Sequence, residues 1–154
     1  MISKQELQKW IEDFLKDTDY ELITLNVSAT NDILVEVDRL TGVDVDFCAE
    51  LNRHLVALLD ADPDADYSLE VGSVSLTDPF KTKMQFTKNL GHDVEVLAGN
   101  LKYRGQLVSV DEDTFSVDVE ERVAVEGKKR KETRIVTHTW RYDEPKYVRY
   151  DLKF

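Results

Sequence analysis

The first residues of the chain alternate between apolar and polar positions with the period of a helix. Ser3 and Glu6 have the spacing of a capping box, in which two side chains accept hydrogen bonds from free backbone N–H groups at a helix start. The apolar positions that follow are Leu7, Trp10, Ile11, Phe14 and Leu15. The polar residues 17–19 end this pattern. We predict an amphipathic helix whose apolar stripe, Trp10 included, faces a core.

Residues 20–40 change to the two-residue period of strands. The turn sequence SATND separates two alternating runs, which predicts a β-hairpin. The faces that we expect to be apolar carry Ile23, Leu25 and Val27 in the first strand, and Ile33, Val35 and Val37 in the second.

A second helical pattern follows the hairpin. Gly42 breaks the strand and Asp44 is placed to cap a helix. The apolar stripe of that helix is Phe47, Cys48, Leu51, Leu55 and Leu58. The sequence YSLEV at 67–71 then returns to a strand pattern. Two helices and three strands predict a small α/β domain, which we assign to residues 1–80.

The pattern beyond residue 80 is that of a different structural class. A short helical or turn segment, KTKMQFTKNLG, is followed by HDVEVLA, YRGQLVSVDE, DTFSVDVEER, ETRIVTHTW and YVRYDLKF. These five runs alternate with a period near two and are separated by polar turns, which predicts a small β-barrel over residues 81–154. The whole chain is therefore predicted to be an α+β protein of two domains.

Charge supports this division of the chain. The net charge is −11 over 154 residues, but residues 1–81 carry 18 acidic and 6 basic side chains, whereas residues 82–154 carry 13 and 14. An acidic surface repels phosphate backbones, so the second half is the better candidate for contact with nucleic acid. Cys48 is the only cysteine and can form no internal disulfide. With no signal pattern at the N-terminus and no long apolar run, we expect a cytoplasmic protein.

Four aspartates at alternate positions, Asp60, Asp62, Asp64 and Asp66, form the most conspicuous acidic motif. A calcium loop that began at Asp60 would need glycine at its sixth position and glutamate at its twelfth, where the chain has Ala65 and Val71. We therefore expect a solvated loop, no metal and no cofactor. The three histidines have no ligand spacing, and phosphate-binding and nucleophile motifs are missing from the sequence. We predict that the protein is not an enzyme, with a hydrolase that uses the four aspartates as a rival hypothesis.

The sequence GKKRKETR at 127–134 is the one basic cluster. It either contacts RNA phosphates or forms a solvated hairpin tip that deters edge pairing. The candidate partner-facing residues are Arg104, Lys128, Lys129, Arg130, Lys131 and Arg134. The tyrosines nearby are open to the same two interpretations, since Tyr142, Tyr147 and Tyr150 can either stack on bases or pack inside a barrel.

Three segments resemble the bacterial ribosome maturation factor RimP family, and the resemblance covers almost the whole chain. GVDVDFCAELNRHLVALLD is similar to the family's second helix, with Cys48 and Ala49 at its Cys-Ala pair. YSLEV followed by LTDPFKT is similar to its interdomain signature. YRGQLVSVDEDTFSV resembles its glycine-bearing barrel strand and turn.

The departures from the family pattern lie within the interdomain signature. Residues that differ from the usual family sequence are Val74, Ser75, Thr77 and Asp78. Asp78 stands where the family usually has arginine, so a charge at the domain junction is reversed. The resemblance implies that the interdomain connector comprises Glu70, Ser73, Leu76, Pro79, Phe80 and Lys81.

The resemblance also implies a function. A member of this family is expected to bind the immature small (30S) ribosomal subunit through rRNA and a basic small-subunit ribosomal protein, and to assist its assembly without catalysis. The second domain is expected to be an SH3-like or Sm-like barrel, and we expect a monomer that has no membrane contact. The alternative is a barrel adaptor that binds a peptide or RNA and has no ribosomal role.

Overall fold

A computed structural model describes residues 2–127 and 129–152 of the chain. It separates into two compact units, Met1–Ser75 and Leu76–Phe154. The first unit contains α1 (Lys4–Leu15), β1 (Glu21–Val27), β2 (Asp32–Asp38), α2 (Val45–Leu59) and β3 (Ser68–Ser73). The second contains α3 (Lys83–Lys88), β4 (Asp93–Ala98), β5 (Leu101–Val110), β6 (Thr114–Val123), β7 (Glu132–Arg141) and β8 (Tyr147–Tyr150). No helix within the described ranges has both the length and the apolarity to cross a membrane.

Helix α1 begins and packs as its sequence pattern predicted. The Ser3 side chain accepts a hydrogen bond from the Glu6 backbone N–H at 3.3 Å, which satisfies one of the free donors of the first turn. The buried residues of the helix are Leu7, Ile11 and Leu15. Trp10 lies at the margin of this stripe, half-buried against the core of the first unit.

The sheet of the first unit has the order β1-β2-β3, with β1 antiparallel and β3 parallel to β2. The predicted hairpin is confirmed, but the alternation in β1 is interrupted by a register shift between Leu22 and Thr24. An extra residue in one strand moves the following side chains to the opposite face. As a result Leu22, and not the expected Ile23, packs against the core beside Leu25.

Helix α2 is capped by Asp44, as predicted, through a hydrogen bond of 2.9 Å from the Asp46 backbone N–H. Its buried residues are Cys48, Leu51, Leu55 and Leu59. The stripe therefore ends on Leu59, four residues after Leu55, whereas the expected Leu58 is only half-buried. Burial, with a smaller contribution from the Asp44 carboxylate, raises the pKa of the Cys48 thiol and disfavours a nucleophilic thiolate.

The five predicted strands of the second half form one antiparallel sheet in the order β7-β6-β5-β4-β8. Its core contains the buried residues Phe86, Val94, Val96, Leu107, Phe115, Val117, Val119 and Val148. A continuous row of rings runs from Phe80 through Phe86 and Phe115 to Trp140 and Tyr103, with successive centroids 4.9–5.7 Å apart. Strands β7 and β8 are the two edges, and no strand pairing among the described residues joins them. The finding is thus a five-stranded antiparallel sheet, and the closure that defines a barrel is not among its pairings.

Candidate partner-binding surface

The hairpin tip, residues 124–131, joins β6 to β7 at the end of a ladder of ten residue pairs. Gly127 has φ of 79°, a left-handed conformation that favours glycine and allows the turn. Lys129, Arg130 and Lys131 are exposed in this loop. Lys128, which the sequence analysis also selected, lies outside the described residues. The structure therefore brings at least three of the candidate cations together.

These cations are available to an external anion. Among residues 2–127 and 129–152, none of Lys129, Arg130 and Lys131 is within ion-pair distance of a carboxylate. Arg134, near the start of β7, pairs with Glu132 at 3.0 Å, and its side chain is 57% exposed. A pair as exposed as this one contributes little to stability, so a phosphate can compete for Arg134.

Arg104 has a different environment from the hairpin tip. It lies on β5 directly opposite Glu95 on β4, and Arg149 on β8 flanks the same glutamate from the other side. Arg104 donates to Glu95 Oε1 from Nε at 3.1 Å and from Nη2 at 2.9 Å. Arg149 Nε and the Tyr147 hydroxyl donate to Oε2 at 2.8 and 3.0 Å. We call these four residues the sheet-face cluster.

The Glu95 carboxylate is the centre of the sheet-face cluster and is only 3% exposed. Burial acts to raise its pKa, but hydrogen bonds from Arg104, Arg149 and Tyr147 outweigh that effect, and the pKa is lowered. The same contact raises the pKa of the Arg104 guanidinium. Arg104 therefore neutralises a buried charge of its own sheet, whereas the cations of the hairpin tip have no such partner among the described residues.

Sequence reasoning missed Glu95 and Arg149, and it considered Tyr147 only as a stacking or packing residue and not as a donor to Glu95. The available signal was the alternation in HDVEVLA, which places Glu95 on the opposite face from Val94 and Val96. That alternation predicts the face of the sheet on which Glu95 lies, but it does not predict which side chains contact it. The partners depend on how β4 pairs with β5 and β8, and β8 is more than 50 residues away along the chain.

Intramolecular contacts account for two of the three candidate stacking tyrosines. Tyr142 packs against Phe86 and Phe115, and its hydroxyl donates to the Asp111 carbonyl. Tyr147 belongs to the sheet-face cluster, and the Arg149 guanidinium lies 4.7 Å from its ring centroid. Tyr150, the third, has its ring centroid 6.1 Å from that of His92.

The six residues selected as an interdomain connector differ in environment. Glu70 and Ser73 are exposed on β3, Leu76 is 60% exposed, and Pro79 and Lys81 are exposed. Phe80 is half-buried: its backbone N–H donates to the Val148 carbonyl at 2.8 Å, and its ring contacts Phe86. Their joint role as a connector stays a prediction.

The aspartate loop is held by its own hydrogen bonds. The Asp64 backbone N–H donates to Asp62 Oδ1 at 3.0 Å, and the Tyr67 hydroxyl donates to Asp60 Oδ1 at 2.8 Å. Burial and the bond to Asp60 raise the pKa of Tyr67. Within the part of the chain that the structure describes, no group of three or more His, Cys, Asp or Glu side chains is arranged to hold a metal ion.

Comparison with known proteins identifies the family of this chain. The model of the RimP N-terminal domain matches residues 10–76. Two proteins named ribosome maturation factor RimP, from two strains of Porphyromonas gingivalis, are each 35% identical to the chain over 132 residues, which is 85% of this chain and 86% of theirs. The chain belongs to the RimP family. This confirms the resemblance noted in the sequence.

The RimP match extends through both units. The family model covers the second half of α1 and the whole of β1, β2, α2 and β3. The 132 residues aligned with the Porphyromonas gingivalis RimP proteins exceed the length of either unit, so that alignment reaches residues of both. The hairpin tip and the sheet-face cluster are thus features of the second unit of a RimP chain.

Proposed function

We propose that this chain is a ribosome maturation factor that binds the immature small (30S) ribosomal subunit and assists its assembly without catalysis. The relatives from Porphyromonas gingivalis carry the name ribosome maturation factor, and family membership supports a ribosome-related role. To shift the assembly equilibrium, the factor binds the immature arrangement of the subunit more tightly than the mature one.

One observation carries the proposal for how the particle is bound. Lys129, Arg130 and Lys131 are exposed at the end of a long hairpin and have no carboxylate partner among the described residues. Cations in this state bind rRNA phosphates by releasing the counterions that surround them. We place Lys128, Arg134 and Arg104 in the same RNA-facing set, Arg104 with the smallest contribution because it already neutralises Glu95.

The acidic first half is the complementary part of the proposal. Residues 1–81 carry a net charge of −12, which repels RNA and attracts a basic ribosomal protein. We further propose two domains, 1–80 and 81–154, in which the open sheet of the second adopts the curvature of an SH3-like or Sm-like barrel. We expect a cytoplasmic monomer that needs no cofactor.

The test is sedimentation of the purified chain with small-subunit particles from an assembly-deficient lysate at low salt. The variant Lys129→Glu, Arg130→Glu, Lys131→Glu should lose about 100-fold in affinity, because three phosphate contacts become repulsive. The matched control is Lys4→Glu, Lys9→Glu, Lys16→Glu, which makes the same change in net charge on exposed positions of the first unit.

The outcomes separate the hypotheses. Enrichment with immature small subunits, absence from whole ribosomes and selective loss in the hairpin-tip variant support the proposal. Equal loss in both variants would show that total charge, not the tip, determines binding. Failure of the unaltered chain to sediment with small subunits would favour the adaptor that has no ribosomal role.

A further inference from the structure

Strand β7 is a long edge strand whose outer side is open. It pairs with β6 over ten residues, from Glu132 to Arg141, without a register shift. In the described part of the chain, the backbone of residues 133–140 has no hydrogen-bonded strand other than β6. In an antiparallel pair, alternate residues direct their N–H and C=O groups away from the partner, so β7 presents a row of free donors and acceptors.

Proteins usually protect such an edge with lysine, proline, a bulge, a short strand or a covering segment. Strand β7 has no lysine, no proline and a regular ladder, and its two arginines, Arg134 and Arg141, lie near its ends and are paired with Glu132 and Asp143. The other edge of the same sheet is treated differently. Strand β8 is only four residues long, and the Phe80 backbone N–H donates to its Val148 carbonyl.

The side chains along β7 suit the addition of another strand. Thr133, Ile135, Thr137 and Thr139 are exposed on one face, and Ile135 is 67% exposed. These β-branched residues pack well against the side chains of a neighbouring strand. The Thr137 hydroxyl donates to Asp118 on β6 at 2.6 Å, and so is directed away from the outer side of β7.

The charges beside the edge select the occupant. A concavity of about 480 Å³ on the exposed face is lined by Asp118, Glu120, Ile135 and Asp151, and by one cation, Arg104, which is already paired with Glu95. Glu120 is exposed and has no ion-pair partner within the described ranges. An added strand would lie two strand spacings, about 10 Å, from β6. Extended lysine and glutamate side chains together span that distance, so alternate basic residues of the added strand reach this acidic surface.

We propose that the β7 edge binds an extended, basic segment of a partner protein by strand addition. Backbone hydrogen bonds to residues 133–140 supply affinity, and alternate lysine or arginine side chains directed at Asp118 and Glu120 supply specificity. A second copy of the chain is a poorer occupant, because each copy carries a net charge of −11. The inference is independent of the ribosomal role, since it concerns only the chemistry of the bound segment.

The probe is a nine-residue peptide of alternating lysine and valine, titrated into the full chain and followed by amide NMR shifts and hydrogen exchange. We expect protection of alternate amides in β7 on binding, at least tenfold weaker binding of the matching glutamate–valine peptide, and weaker binding of a lysine–valine peptide with alternate backbone N-methyl groups. The substitution Ile135→Lys, which installs a natural edge protector, should weaken binding at least tenfold.

The control is Leu101→Lys, which introduces the same charge at an exposed apolar position of β5, away from the β7 edge. A dispersed amide spectrum establishes that each variant is folded. Absence of peptide binding, equal binding by Ile135→Lys and Leu101→Lys, or protection located on β8 would overturn the proposal. Protection of β7 without peptide that increases with protein concentration would also overturn it, in favour of self-association. Because no ribosomal particle is present, failure here leaves the proposed maturation role standing.

Discussion

The hairpin tip and the sheet-face cluster contain the same kind of basic side chain in opposite electrostatic states. Arg130 is exposed in a loop without a carboxylate partner among the described residues, whereas Arg104 donates two hydrogen bonds to the buried Glu95 carboxylate. The first cation is available to an external anion, which is why it belongs to the proposed binding surface. The second is already neutralised within its own sheet. The comparison shows that counting basic residues identifies candidates for binding, but their internal partners decide which of them are available.

The largest expected loss of stability comes from a steric clash between β5, which carries Arg104, and the neighbouring strand β6. A Cβ at the adjacent Gly105 would lie 2.0 Å from the Asp118 carbonyl oxygen, which is backbone and cannot rotate away. Gly105→Ala should therefore lower the free energy of unfolding by at least about 3 kcal/mol. Urea unfolding measures the change. In the control Gly72→Ala the added methyl meets nothing within 4 Å, and a similar loss there would contradict the steric explanation.

The second largest loss of stability is expected when the negative charge of Glu95, the centre of the sheet-face cluster, is removed. Glu95→Gln keeps the shape of the side chain but leaves two guanidinium groups without their carboxylate, and should cost about 2 kcal/mol of unfolding free energy. Glu126→Gln, in the hairpin tip, removes an exposed acid and should change stability by less than about 0.5 kcal/mol. Equal effects of the two substitutions would contradict the distinction between a stabilising charge cluster on the sheet and a hairpin tip that contributes little to stability.

Acidification should erase the stabilisation by Glu95 selectively. The pKa of this carboxyl in the folded chain lies below its ordinary value of 4.5. Its contribution is therefore complete above about pH 4.5 and is lost as the pH falls through the lowered folded value. The stability difference between the unaltered chain and Glu95→Gln, measured by urea unfolding from about pH 7 to about pH 3, should shrink only in the acid range. A difference independent of pH would show that shape, not charge, is responsible.

The smallest expected effect on stability belongs to Arg134→Gln. The Arg134–Glu132 pair is exposed at the edge of the tip, so its removal should change the free energy of unfolding by less than about 0.5 kcal/mol. If Arg134 contacts a phosphate in the bound particle, the salt dependence of binding should fall by about one counterion. A marked loss of stability would show that Arg134, like Arg104, has a structural role, and would contradict its place in the proposed binding surface.

Local patterns were sufficient to predict most of the fold. Capping residues and helical stripes defined α1 and α2, and short alternating runs defined all five strands of the second unit. The sequence did not predict that Leu22, and not Ile23, packs against the core, because the register shift in β1 depends on its pairing with β2. Closure of the second sheet depends in the same way on contacts between distant strands.

The candidate site was predictable to a smaller extent. The exposed cations Lys129, Arg130 and Lys131 follow directly from a basic run between two strands. The partner of Arg104 does not, because Glu95 belongs to another strand and both carry ordinary alternating patterns. To identify β7 as an edge strand, the strand order had to be known. Central and edge strands have similar sequences when both of their faces are partly covered.

The positions of the two tryptophans have a spectroscopic consequence. Trp10 packs against the core of the first unit, and Trp140 lies in the ring row of the second, its indole stacked near the His138 imidazole at 5.4 Å. The chain contains no other tryptophan, so each unit carries one intrinsic fluorophore. Trp140→Phe isolates the emission of the first unit and Trp10→Phe that of the second. The fluorescence of these two variants therefore reports whether the halves of the protein melt together or one at a time.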